Sequence, residues 1–587
     1  MLSLRAFAPR LRSGCLALLL PLLLAAGCAQ LPQNVDRPVS TALASPEATP
    51  LAALVQQRRE AAKARFESGF LLLEGPQAAY GSRLALIDAA QKTLDLQYYA
   101  IHADASTGRL LRGVVAAARR GVRVRVLLDD FHSTGRNALV MRLAFEPHIE
   151  MRMFNPLAGA RGSTIGRMVN AISDFDRVQQ RMHNKLFIAD NAMGVTGGRN
   201  LGDAYFGIAE TGNFIDLDVL AAGPIVQDLS RSFDSYWNDE RAYPVQSLVS
   251  HAELLKIRDD LKPDDAAQRE RDQKQGGTPK PPDGEPRPAD AGPTDAQRAA
   301  VWDEKPLDLR TAAFTWAPAV VMSDKPAKIA AEPGDTTTTG SASNPGLVVT
   351  QPSDAPKAAT GRVAALEKAS DAAADGDTVV SGLLELIGRA RSDLTIVSPY
   401  FVPGTDMKQA FAAARARGVR VRVLTNSLAS NDAPVAHVGY ARHREELLAM
   451  GVELYEMRSE QAGLGSAFGA SGSSGVGESR SMLHAKVLVM DGRLLVVGSM
   501  NLDLRSQLQN TEIALLIRSD DLSRAAAARI DQAMRQAAWH VEQTDGRLVW
   551  HAPEGSHLQD AHTEPDTSAG LRLLLKLFGP LAPDALL

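Results

Sequence analysis

The chain has 587 residues, enough for two or more domains with full cores, and a formal charge of −4 with 45% apolar and 5% aromatic residues. That balance speaks against a general nucleic-acid binder, which carries a basic excess, although a local basic cleft remains compatible with it. The two cysteines, Cys15 and Cys28, are too few for a disulfide framework, so the fold must stand on its core.

The first 27 residues carry Arg5, Arg10 and Arg12, then an apolar run from Leu16 to Leu24 broken by Pro21, then Ala25-Ala26-Gly27-Cys28. This reads as a secretory signal with small residues before the cleavage point. The Gly27-Cys28 junction resembles a bacterial lipobox, which implies cleavage there and lipidation of Cys28. Removing three arginines and no acid takes the charge from −4 to −7. Ala29 follows, and by the bacterial sorting rule this residue implies the periplasmic face of the outer membrane rather than the inner one. Residues 28–50 are rich in Pro, Ala, Ser and Thr and read as a tether from lipid to domain.

The first domain is expected over 51–261. Helices are expected at Leu51 to Ser68, Leu84 to Lys92 and Gly108 to Arg120, with Gly121 as a stop signal. Strands are expected at Leu94 to Ile101, Val122 to Leu128 and Ile149 to Phe154. The same unit recurs: Arg417-Gly418-Val419-Arg420-Val421-Arg422-Val423-Leu424 copies Arg120 to Leu127 with an offset of 417 − 120 = 297. Ser392 to Ser398, Phe411 to Arg417 and Val452 to Glu456 supply the matching strand, helix and strand. Alternating strands and helices imply βαβ units and a mixed, mostly parallel sheet in each of two α/β domains, the second over 378–556. The insert and linker, 262–377, is expected to be partly disordered: Lys262 to Thr294 is dense in Pro, Asp, Gln and Gly, and Ala330 to Thr360 is similar. An ordered piece near 308–328 is expected within it, with strand character at Phe314-Thr315-Trp316 and Val320-Val321-Met322; it reads as a lip of the active-site cleft or as an ordinary edge strand. A Gly/Ser-rich stretch, Ala462 to Ser479, reads as a loop over the site entrance or a disordered insertion. The tail, 557–587, contains an apolar stretch from Leu571 to Leu581 with two cations. It is too short to span a bilayer and suits an interfacial helix or a docked core helix.

The stretch with chemistry occurs twice. Met182-His183-Asn184-Lys185 leads through an apolar run to Asp190 and then Gly197-Gly198-Arg199-Asn200; Leu483-His484-Ala485-Lys486 leads likewise to Asp491 and Gly498-Ser499-Met500-Asn501. The offset is constant at 484 − 183 = 301. On a strand, residues i and i+2 share a face, so His183 joins Lys185 and His484 joins Lys486. Asp491-Gly492 is a hairpin signal that returns Gly498 to Asn501 beside the His and Lys. Two such halves offer two imidazoles amid fixed donors, which suits a phosphodiester: one imidazole attacks phosphorus and the other protonates the leaving oxygen. The lysines, with Asn200 and Asn501, would stabilise charge on the non-bridging oxygens.

These duplicated motifs resemble the phospholipase D superfamily. The context Gln180-Arg181-Met182-His183-Asn184-Lys185, the run Gly197 to Gly207 and Leu94 to Tyr99 resemble, within it, the C-type bacterial cardiolipin synthases. The resemblance implies two domains about a pseudo-twofold axis, with the active site at their interface. It implies a phosphohistidine on one His, here His183, with His484 as acid and then base, or the reverse. It implies no metal and no organic cofactor. The substrates would be phospholipids at a membrane surface: phosphatidylglycerol, with phosphatidylethanolamine as a further candidate. Transfer to a lipid hydroxyl gives cardiolipin; transfer to water makes the protein a phospholipase D or phosphodiesterase. A secreted nuclease and a non-catalytic lipid-binding envelope lipoprotein are the other readings.

Asp190 and Asp491 belong to the catalytic motif, yet each lies seven residues beyond its His, past a strand, where capping a turn is the simpler role. In the resembled family acids on later strands orient the His of the opposite half, which pairs Glu512 with His183 and Asp218 with His484. Tyr98 and Tyr99 would line the cleft or the core. Tyr236, Trp237 and Trp539 read as packing residues. His132, His148, His437, His540 and His551 lack metal-ligand spacing and read as incidental.

Overall fold

The computed structural model describes residues 31–159, 175–209, 212–260, 292–329, 346–352, 361–459 and 480–578. Cys28 and the signal segment, most of the two linker stretches, the Ala462 to Ser479 loop and the last nine residues lie outside them.

Two mixed sheets form the frame. In the first, of nine strands, the centre is a βαβ pattern: Thr93–Tyr98 runs parallel to Arg123–Asp129, which runs parallel to Ile149–Phe154. The helix Ala105–Arg119 makes the crossover. Asp104 caps it by accepting from the Thr107 amide, Leu110, Val114 and Ala117 bury its apolar stripe, and Gly121 at φ +96° ends it. The second sheet repeats this with Asp393–Val397, Arg420–Asn426 and Glu453–Met457.

The remaining described pairings in both sheets are antiparallel, so the expectation of a mostly parallel sheet is corrected. The reason is local. Leu186–Ala189 and Met193–Gly197 are joined by a tight turn at Asp190 and Asn191, both at φ +51°, and only antiparallel strands can be joined so closely. Asp491 at φ +53° and Gly492 make the same turn between Val487–Met490 and Leu494–Gly498.

The described part of the insert is more ordered than its composition implies. Thr315–Trp316 adds to the edge of the first sheet and Ala319–Asp324 adds to the second. This piece therefore crosses between domains as an edge strand of the first sheet and the second strand in from the edge of the other, not as a lip. Leu347–Val349 pairs with Ala319–Asp324, and the helices Asp295–Asp303 and Gly361–Ala373 pack on the first and second domains. The second domain's body thus starts before residue 378. At the other end, Glu564 is drawn against Arg444 and His437, and the helix Ala569–Phe578 follows with Leu573 and Leu577 exposed. No described helix is long and apolar enough to cross a membrane.

The described part of the expected tether is also no free leader. Arg152 donates to the Pro38 carbonyl, Arg125 and Asn238 to that of Ser40, and Asn191 to that of Leu43, strapping the segment along the first domain. Its carbonyls take the Nη1 of Arg125 and the Nη2 of Arg152, the nitrogens that Asp95, Asp234 and the Trp237 carbonyl leave over on these buried guanidiniums, and this outweighs the disorder its composition favours.

The two sheets bury a common apolar layer. Leu186, Ile188, Val219 and Ala221 meet Val487, Val489, Leu515 and Ile517, with Phe233 and Ala533 from the flanking helices. Gly212–Ile215 of the first half pairs in parallel with Arg480–Leu483 of the second. Crossing contacts at the seam are reciprocal: the His183 amide donates to the Thr511 carbonyl at 3.0 Å, and the His484 amide to the Ile215 carbonyl at 2.7 Å.

Candidate active site

Both histidines sit at this seam, each just before its buried strand. Each ring is held by a carboxylate from the opposite half. His183 Nδ1 lies 3.1 and 3.0 Å from the two oxygens of Glu512, and His484 Nδ1 lies 2.7 Å from Asp216 Oδ2. The expected partner of His484, Asp218, is elsewhere. Its carboxylate accepts from Arg83 at 2.9 Å and from the Arg199 amide, and it is fully buried. Strand register explains the correction. Gly498 pairs with Ala514 and Gly197 with Asp218, so Asp218 corresponds to Ala514 and Asp216 to Glu512. The offset there is 512 − 216 = 296, five less than at the histidines, because the first half has a longer loop after its Asn. The signal was present: Glu512 immediately precedes an apolar strand, and so does Asp216.

Glu512 is set by more than the imidazole. The hydroxyls of Ser499 and Ser506 both donate to its carboxylate, and its own amide donates to Asp324 Oδ2 at 2.9 Å. Burial opposes its charge, but the His183 ring and these donors outweigh it and hold the carboxyl near 2. Asp216 is likewise held near 2: burial opposes its charge and the His484 ring, Arg199 and Lys486 outweigh it. Burial and the neighbouring ammonium groups lower both imidazoles to about 4. An ionised carboxylate can only accept, so each Nδ1 donates and each Nε2 keeps its lone pair. Neither Nε2 has a hydrogen-bond partner among the described residues.

Lys185 Nζ donates to the His183 carbonyl at 2.7 Å and Lys486 Nζ to the His484 carbonyl at 2.6 Å. Each lysine thus stiffens the backbone under its own His while keeping donors to spare. Burial lowers Lys185 to about 7 and Lys486 to about 8.

The two motif aspartates are not in the site. Asp190 accepts from the amides of Gln91, Lys92 and Thr93, and Asp491 from those of Arg391, Ser392 and Asp393. Both lie at the far end of the strand that starts at the His, so they pin the neighbouring strand's start and are not placed to touch a reacting atom. The two asparagines differ. Asn200 is spent on structure, accepting from the Ala100 amide and donating to the Tyr205 hydroxyl. Asn501 keeps a buried side-chain oxygen with no partner.

Aromatic rings complete one wall. Tyr99 packs edge-on against His183 and His132, His132 lies 6.0 Å from His102, His102 stacks on Tyr205, and Tyr205 packs edge-on against His484. His132 is thus part of the wall and not incidental. The second half contributes Tyr400, whose hydroxyl donates to Asp432 at 2.7 Å. No spacing rule marks His102, His132 or Tyr400; Tyr99 and Tyr205 fall inside the stretches singled out above. No group of three or more metal-ligating side chains converges among the described residues.

A family model described as cardiolipin synthase, PLD-like domain, matches residues 84–237 and 383–535. Cardiolipin synthase C of Escherichia coli (strain K12) is 33% identical over 473 residues, 78% of this chain and 83% of that protein. An uncharacterized protein of Helicobacter pylori (strain ATCC 700392 / 26695) is 29% identical over 86% of this chain and 87% of its own. Among solved structures, the phosphatidylserine synthase of Haemophilus influenzae Rd KW20 aligns over 90% of this chain and 98% of that one, with 12% identity and a TM-score of 0.49. With one such domain in each half and a His–Lys pair from each at the seam, the chain belongs to the cardiolipin synthase, PLD-like domain family.

Proposed function

We infer that the protein is a phosphatidyltransferase that makes cardiolipin by exchanging one phosphodiester for another. The observation that carries this is the pair of oppositely sourced His–carboxylate contacts, His183–Glu512 and His484–Asp216, at one seam. His183 Nε2 attacks the phosphorus of a phospholipid; the bond to the headgroup oxygen breaks, and His484 delivers a proton to that oxygen. A bound phosphodiester anion stabilises the imidazolium this requires. The second step reverses the roles: His484 takes the proton of an incoming hydroxyl, whose oxygen displaces the imidazole from phosphorus. Lys185 and Lys486, with the Nδ2 amide group of Asn501 as donor, stabilise the non-bridging oxygens. The shorter bond at His484 suits the ring that must carry the extra proton, which supports His183 as the nucleophile.

Phosphatidylglycerol is the acceptor in this reading, with phosphatidylglycerol or phosphatidylethanolamine as donor. The exchange needs no energy input, which fits a compartment without activated nucleotides. We place the protein at the periplasmic face of the outer membrane, anchored through lipidated Cys28.

Incubation with labelled phosphatidylglycerol and phosphatidylethanolamine, followed by resolution of the products, tests the reading. Cardiolipin supports it, phosphatidic acid alone replaces it with a hydrolase, and no turnover ends it. His183→Ala and His484→Ala are each expected to abolish product.

A further inference from the structure

The strap of residues 37–43 has a direction. The Leu43 carbonyl is held by Asn191, in the turn at the end of the sheet farthest from the histidines. Thr41 is held by Arg123, at the start of its strand, and Ser40 by Arg125, two residues further on. Pro38 is held by Arg152, which pairs with Leu127. Arg37 lies over the ring of Tyr243, which pairs with Met153 beside Leu128. The next strand residue, Asp129, accepts from the Met182 amide next to His183. Read from Leu43 back to Arg37, the chain therefore climbs the sheet from its far end to its catalytic end. From Arg37 to Cys28 there remain 37 − 28 = 9 residues, a reach of at most about 30 Å.

A second observation lies at that same end. Phe131, 39% exposed, stacks on Tyr99, which packs against His183; Leu508, 44% exposed, ends the short helix whose Ser506 holds Glu512; Val435, 48% exposed, follows Asp432, the partner of Tyr400. Three water-facing apolar side chains thus sit within a few residues of the site walls.

We propose that the strap is an orienting device, which delivers the N-terminal anchor to the catalytic end so that the face bearing Phe131, Leu508 and Val435 rests on a lipid bilayer. This rests on the phospholipid reading of the site. An anchor leaving from the far end would let the domain hang with its cleft turned away, and the substrate would have to leave the membrane. With the strap in place, the lipid headgroups are presented directly to the seam.

The test uses the mature lipidated chain beginning at Cys28, whose one cysteine carries the lipid, reconstituted on vesicles of phosphatidylglycerol and phosphatidylethanolamine carrying brominated acyl chains. A fluorophore is attached at Leu508→Cys or, at the far end, at Lys92→Cys. Quenching at least about twofold stronger at position 508 is expected; equal quenching, stronger quenching at 92, or no vesicle association overturns the proposal. Releasing the strap with Arg37→Ala and Asn238→Ala should bring the two positions together and lower turnover of vesicle lipid, while turnover of a dissolved short-chain phospholipid stays unchanged. Undiminished quenching at 508 after release would remove the strap from the explanation. Mouth-first docking without any phosphatidyl transfer would sink the catalytic reading and leave this one standing.

Discussion

His183 and Glu512 are 329 residues apart in sequence, and their side chains meet at 3.0 Å with the carboxylate fully buried. Neither half of the protein can assemble its own site. The first half's imidazole is oriented by the second half's acid, and the second half's imidazole by Asp216 of the first.

The Glu512 carboxylate fixes the His183 tautomer, and Glu512→Gln tests this. The amide keeps the size of the carboxyl group but can no longer compel Nδ1 to be the donor. Turnover should fall by roughly 10²–10⁴-fold with KM little changed. A variant with near-normal kcat would show that the carboxylate does not set the ring.

Asp216 and Asp218 should separate by kind of defect. Asp216→Asn removes the acceptor of His484 and is expected to lower kcat in the same way. Asp218→Asn strips Arg83 of its buried partner, and breaking such a pair costs about 3–5 kcal/mol. Thermal melts and steady-state kinetics on both variants check this: a stable, inactive Asp218→Asn protein would reverse the assignment.

Asp190→Ala leaves three backbone N–H groups without their acceptor, at a cost on the order of 1–3 kcal/mol for each group left unpaired in the interior. Its melting temperature should drop markedly, and the fraction still folded should turn over normally. Loss of kcat in fully folded protein would return this residue to the chemistry.

The lysines predict an alkaline limb. Burial lowers both below the ordinary lysine value, to about 7 and about 8, so the ammonium is lost as pH rises through that window. The charge that meets the phosphate disappears with it, and kcat/KM should fall as pH rises from about 7 to 9. Replacing Lys185 by Arg, which keeps its charge, should move the limb upward. A kcat/KM that is flat to pH 9 would contradict the argument.

Much of this was written along the chain. The repeated His–Lys spacing, the apolar runs behind it and the copied Arg-Gly-Val-Arg-Val-Arg-Val-Leu segment sufficed for two like domains and for four of the site's side chains, because strand periodicity puts i and i+2 on one face. Glu512 was legible through the resemblance. Asp216 was displaced by two residues in that reading, since the halves differ by five residues after the Asn and only the strand register shows which acid stands opposite which ring. The strap was read as a tether because composition cannot reveal that buried Arg125 and Arg152 need carbonyl acceptors. Local pattern, then, determined the parts and their chemistry; the pairing across the seam, the wall of His102 and His132, and the direction in which the N-terminus leaves were decided by the tertiary structure. Those depend on contacts between residues far apart in sequence, and no periodicity within a segment encodes such distances.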